Sequence, residues 1–284
     1  MSTAPSECEL LHLQRTAELL DSLQHEMKRA SKRARLDADV IHDVRVAIRR
    51  LRQALDVFAP ALDSAAAKKL DKKVRKLLKR AGEVRNLDIA IDMVKNARIA
   101  GARPLIDAIR KDRTKAAKDF AQELSKLCDS DFASKWPSKL AAPSPQTDPM
   151  EGYRQNLLAM TADLFDAGER AADPTSDSDT LHKFRIKTKK FRYTLELFEP
   201  LYGPSVKARM RVLRNLQQRL GDINDYAASR RILDDYRDGR SAVVDRALDR
   251  LKRMAGDETK EFRGYVHRSF GPKQKAIWIG DFTP

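Results

Sequence analysis

The sequence predicts an all-α fold made of two copies of one helical unit, each a bundle of about four or five helices. Three observations carry this expectation. Strand signals are scarce: alternating β-branched runs are few, and aromatic residues make up only 6% of the chain. Charged residues reach 34% beside 42% apolar ones, a balance that suits amphipathic helices with solvated outer faces. A segment near the start of each half also recurs at a fixed offset, the signature of an internal repeat.

Taken in order, helical periodicity places elements near 6–35, 40–59, 64–81, 84–99 and 102–130. Pro137, Pro143, Pro145 and Pro149 then punctuate a stretch of Ser, Ala and Thr, which reads as a linker over 136–149. Periodicity resumes near 150–171, 179–199, 204–220, 223–237 and 240–268. The expected organisation is therefore a first repeat over 1–135, the linker, and a second repeat over 150–284.

Residues 41–60 (IHDVRVAIRRLRQALDVFAP) align with 181–200 (LHKFRIKTKKFRYTLELFEP) at an offset of 140. His42/His182, Arg45/Arg185, Arg52/Arg192, Leu55/Leu195, Phe58/Phe198 and Pro60/Pro200 are identical, and Arg49/Lys189 and Arg50/Lys190 keep their charge. Farther on, 78–87 (LKRAGEVRNL) aligns with 217–226 (QQRLGDINDY) at an offset of 139. This pairs Gly82 with Gly221, each followed by an acid, and each glycine reads as a helix C-terminus before a short turn. Two such copies imply a pseudo-two-fold relation.

The formal net charge is +15, so a polyanion is the first partner to consider. Two cysteines, Cys8 and Cys128, form no disulfide framework and no metal-like spacing, and they fit a reducing compartment. The segment Met1 to Leu20 lacks the basic and apolar regions of a signal peptide, and no apolar run approaches membrane-spanning length. The chain reads as cytoplasmic, with no membrane partner.

His42, Arg45, Arg49 and Arg52 are spaced by 3, 4 and 3 residues, which confines them to one stripe roughly 80° wide and about 15 Å long. The apolar positions Ile41, Val44, Ile48, Leu51, Leu55 and Phe58 form a second stripe centred only about 110° away. The cations thus flank the core seam and lie in a groove beside a neighbouring helix. His182, Arg185, Lys189 and Arg192 repeat the arrangement, with Thr188 polar where Ile48 is apolar. Clustered cations need a counter-ion, and Asp43 and Asp56 are too few to supply it, so the spacing points to an external anion. Arginine matches phosphate because its planar fork donates two parallel hydrogen bonds. A duplicated, internally salt-bridged helix is the competing explanation.

The next helix adds Lys72, Arg75 and Lys79, with Arg211 and Arg214 in the second copy and Gln218 at the third place. This stripe lies opposite its own apolar positions, so an ordinary solvated face competes more strongly here.

The pattern His-x-x-Arg-Val/Ile, followed by paired cations and a further Arg, resembles the CHAD family, the conserved histidine α-helical domain. Leu220 to Asp225 and Arg80 to Asp88 resemble its second motif, and the likeness spans about 6–270. The resemblance implies two similar helical bundles around a basic cavity or groove that binds inorganic polyphosphate, for which sulfate or phosphate would stand in within a crystal. It implies a ligand-facing set of His42, Arg45, Arg49, Arg50 and Arg52, with His182, Arg185, Lys189, Lys190 and Arg192. It implies no cofactor, and it leaves granule association, signalling and scaffolding as alternative settings for the binding. Some relatives carry a triphosphatase domain marked by Glu-x-Glu-x-Lys; Glu7-Cys8-Glu9 here lacks the lysine, so a free-standing, non-catalytic binder is expected.

Two other classes compete. A nucleic-acid-binding protein fits the charge, but the stripes lack interleaved aromatics and no helix-turn-helix or zinc finger is evident. An enzyme would need metal ligands or a general base near the histidines, which instead have arginines at i+3. A histidine phosphotransfer module is the form of that alternative closest to the residues present.

Overall fold

A short acid at the right place starts each of the two basic helices. Asp37 accepts from the backbone N–H of Val40 at 2.8 Å and Asp177 from that of Thr180 at 2.8 Å, each occupying a donor that the first turn leaves unpaired. The two caps stand at the same offset of 140 as the stripes that follow them. The structure is a computed structural model that describes residues 7–128, 131–141, 149–238 and 241–282; the linker reading for 142–148 and the last two residues lie outside these.

Among the described residues the fold is all-α and contains no strand. The helices are α1 (Glu7–Ser31), α2 (Ala38–Val57), α3 (Ser64–Asn96), α4 (Arg103–Leu127), α5 (Pro137–Leu140), α6 (Pro149–Ala172), α7 (Ser178–Asp234), α8 (Ser241–Ser269) and α9 (Pro272–Asp281). A 3-10 turn at Ala59–Ala61 separates α2 from α3. No helix among the described residues is long and apolar enough to cross a membrane. The chain forms two compact units, Met1–Ile91 with Ile106–Met150, and Asp92–Leu105 with Glu151–Pro284.

In the first unit, consecutive helices are antiparallel. Arg29 of α1 bonds Asp43 of α2, Arg52 of α2 bonds Asp71 of α3, and Arg113 of α4 bonds Asp88 of α3. Their core is largely aliphatic: Leu20, Leu23, Met27, Val44, Ile48, Leu51, Val74, Leu77 and Ile109 are all fully buried, as are Phe58 and Phe120. Each such side chain contributes about 1.5–3 kcal/mol through the surface it removes from water. Trp136, just before α5, is buried and has the Lys139 ammonium 5.8 Å from its ring centre.

The second unit contains a hairpin hidden within α7. His182 bonds Asn224, and Gln217 donates to the carbonyl of Thr188 at 3.3 Å. At 1.5 Å per residue, positions 182 and 224 would be about 63 Å apart on a straight helix. The helical run must therefore reverse between these contacts, and Pro200, Gly203 and Pro204 lie where the sequence predicts the break. Its two limbs pair in the register that α2 and α3 use, for Arg45 meets Gly82 and His182 meets Asn224, contacts that fall in the same register once the two copies are aligned.

The glycine reading is corrected. Gly82 lies inside α3 and Gly221 inside the second limb of α7, so neither ends a helix and the predicted breaks at 81–84 and 220–223 do not exist. The sequence reading also missed α5 and α9. The latter packs by Trp278 and Phe282, both buried, with Trp278 stacked on Phe191 at 6.0 Å and edge-on to Phe165 at 5.4 Å. Thr188 occupies its apolar slot fully buried because its hydroxyl donates to the Phe184 carbonyl at 2.9 Å.

Removing the α9 anchor should be costly. Trp278→Ala is expected to destabilise the protein by about 3–5 kcal/mol in chemical denaturation, the range for emptying a buried tryptophan site. A loss below 1 kcal/mol would show that α9 is not part of the cooperative core.

Candidate functional site

The stripe of α2 lies against α3. His42, Arg45, Arg49 and Arg52 stand on one flank of α2 and Arg50 about 100° round from Arg49, with His42 exposed and the arginines half-buried. A Cβ added at Gly82 of α3 would lie 2.9 Å from Nη1 of Arg45, so the guanidinium reaches across to α3 at the glycine. At the far end Arg52 donates to Asp71 at 2.5 Å, and Asp71 also accepts from Arg75 at 2.7 Å. At the near end Arg49 and Arg85 make no hydrogen bond or ion pair with another described residue. Asp43, the acid beside them, bonds Arg29 of α1. The row is thus neutralised at one end and cationic at the other.

The electrostatics of His42 register this. Its pKa is lowered from the ordinary imidazole value, first by partial burial and next by Arg85, with Arg45 and Arg49 adding to the effect and Asp43 opposing it. Arg85 is therefore part of the row, although the sequence reading placed it only in the second motif. Its neighbour Asp88 is committed to Arg113, whose guanidinium also donates to the carbonyl of Leu36 at 2.6 Å. That bond ties α3 and α4 to the start of α2 and fixes the end of the hairpin where His42 stands.

The second unit differs in detail. His182 is exposed, and its Nδ1 is 3.0 Å from Oδ1 of Asn224, the residue aligned with Arg85. Arg185 and Lys189 are half-buried and Lys190 is exposed. Arg192 bonds Glu196 on its own helix and lies over the Tyr193 ring, 4.5 Å from its centre. An amide thus stands beside the histidine here, where the first unit has a guanidinium. Nothing lies within 4 Å of a Cβ built at Gly221.

The outer set is dispersed. Lys72, Arg75, Lys79, Arg211 and Arg214 are exposed, and of these only Arg75 joins its row, through Asp71. No group of three or more His, Cys, Asp or Glu among the described residues has a metal-binding arrangement. The sequence signal that could have revealed Arg85, Asn224 and Gly82 was the second aligned segment, where all three fall on matched positions.

Arg85→Gln should raise the pKa of His42 part-way back toward its ordinary value, as read by a proton NMR titration of the imidazole. An unchanged titration would place Arg85 away from the ring.

The profile of the CHAD domain family matches residues 14–234. Among solved structures, the chain is similar to the CHAD domain from the plant Ricinus communis, at 22% identity and a TM-score of 0.74, over 94% of this chain and 93% of that one. It is also similar to PptA from Streptomyces chartreusis, at 15% identity and a TM-score of 0.57, over 95% and 98% of the two chains. No curated protein matches.

Proposed function

The chain belongs to the CHAD domain family, and from that premise we propose that it is a non-catalytic binder of inorganic polyphosphate, held by the rows of both units and serving at polyphosphate granules. The observation that carries this reading is the pair Arg49 and Arg85, which approach His42 and have no acidic partner among the described residues. Half-buried cations without counter-ions favour an anion from solution, and forked guanidinium groups favour one with paired oxygens. A polymer of phosphates presents such pairs at every unit along its length.

Nucleic acid offers the same phosphates, and the net charge of +15 favours it equally. The phenylalanines beside the basic rows are turned inward, however: Phe58, Phe184, Phe191 and Phe198 are all buried, and Arg192 covers the Tyr193 ring, which removes these rings as platforms for base stacking. Calorimetric titration with polyphosphates of graded length, beside single-stranded DNA of equal charge, separates the two. Tight binding of polyphosphate that DNA does not displace supports the proposal, and preference for DNA overturns it. A phosphorylated histidine on incubation with a phosphoryl donor would instead favour phosphotransfer.

Joint replacement of Arg45, Arg49, Arg185 and Lys189 by alanine should abolish tight polyphosphate binding and leave helicity by circular dichroism unchanged. Affinity that survives this change would move the site elsewhere. Binding should also depend on pH through His42. A bound polyanion stabilises the imidazolium and raises a pKa that the free protein holds low. Binding therefore takes up protons, and affinity rises as pH falls from about 7 toward the lowered value, with no gain above the histidine range. His42→Gln should flatten this profile; a wild-type profile flat from the start would remove His42 from the ligand's reach.

A further inference from the structure

We infer that Gly82 is a positioning residue whose missing side chain leaves the space in which the Arg45 guanidinium lies across α3, and that this makes the first unit's row the tighter phosphate seat of the two. The inference rests on the polyphosphate reading above and adds to it an inequality between the rows. Glycine inside a helix costs about 1 kcal/mol relative to alanine, so a glycine there needs a reason. Conformation supplies none, for among the described residues Gly101 is the glycine with positive φ, and Gly82 has ordinary helical geometry. Space supplies one. The 2.9 Å approach of Arg45 Nη1 to a Cβ at 82 is closer than such atoms tolerate, and that nitrogen is the far end of a flexible chain. A methyl group at 82 would move the cation and leave the core intact.

The second unit lacks this device. Nothing meets a Cβ at Gly221, and no feature of the structure explains that glycine. Its histidine is held by an amide at Asn224, and Lys189 replaces Arg49. The first row therefore gathers Arg45, Arg49 and Arg85 about His42, whereas the second offers one guanidinium, Arg185, and one ammonium at the matching places. Guanidinium forks grip a phosphate at two oxygens and an ammonium acts as a point charge, so the first row binds more tightly.

The test is calorimetric titration of long-chain inorganic polyphosphate into the wild type, Gly82→Ala, Gly221→Ala, Arg45→Ala and the Gly82→Ala/Arg45→Ala pair, with thermal unfolding of each. Gly82→Ala should lower affinity roughly tenfold, the scale of one misplaced charge-assisted hydrogen bond, with its unfolding midpoint held or raised. Gly221→Ala should keep affinity within about twofold of wild type and raise the midpoint. The paired variant should bind no more weakly than Arg45→Ala, because the glycine acts through that arginine. Equal affinities for the two glycine variants, or additive losses in the pair, would overturn the inference while wild-type binding stands. Failure of the wild type to bind polyphosphate overturns the functional reading itself.

Discussion

Repulsion between like charges gathered on one side of a helical hairpin is the constraint that shapes this protein. Two unit charges 8 Å apart oppose one another by about 0.5–2 kcal/mol, depending on how much water lies between them. A row of them resists assembly unless something stronger holds the helices together. In the first unit that is an apolar seam to which α2 contributes Val44, Ile48 and Leu51 and α3 contributes Val74 and Leu77, all fully buried. At about 1.5–3 kcal/mol per side chain, the seam outweighs the repulsion of the few cations beside it. The angular proximity of the two stripes on α2 makes this work, since a helix that buries its apolar stripe in the core holds the flanking cations within reach of Gly82 and Asp71 on α3.

The two units meet this constraint with different materials. The first relies mainly on aliphatic side chains around Phe58 and Phe120, and commits Asp71 to Arg52 and Asp43 to Arg29, which leaves the Arg49 and Arg85 end cationic. The second packs Phe184, Phe191, Phe262 and Phe270 with Trp278 from α9, and moderates its row locally through Glu196 and Asn224. The hairpin register is shared while the chemistry beside each histidine is not.

Much of the fold was legible in the sequence because helix periodicity and proline placement are local properties. A break between 199 and 204 could be read in advance, since two prolines and a glycine within five residues seldom sit within a straight helix, and the Thr188–Gln217 contact requires a reversal between those two residues. Gly82 was misread because glycine has two uses, freeing a backbone and vacating a volume. Only the second applies here, and it depends on Arg45, 37 residues earlier in the chain. The helix α9 escaped notice for a similar reason: few residues of 272–281 show periodicity, and its place is set by contacts of Trp278 with distant phenylalanines. The row itself was visible as a pattern, but which of its members are neutralised was not. Asp71, Asn224 and Arg85 reach it from other helical segments.

Tryptophan occurs at only two positions, 136 and 278, and the two compact units hold one each. Both rings are buried, with Lys139 near the first and the Arg209 guanidinium 5.4 Å from the centre of the second. Intrinsic fluorescence therefore comes with an address. Replacing either indole by phenylalanine leaves emission from a single unit, so the melting of each half can be followed by its own spectral shift without attaching a dye.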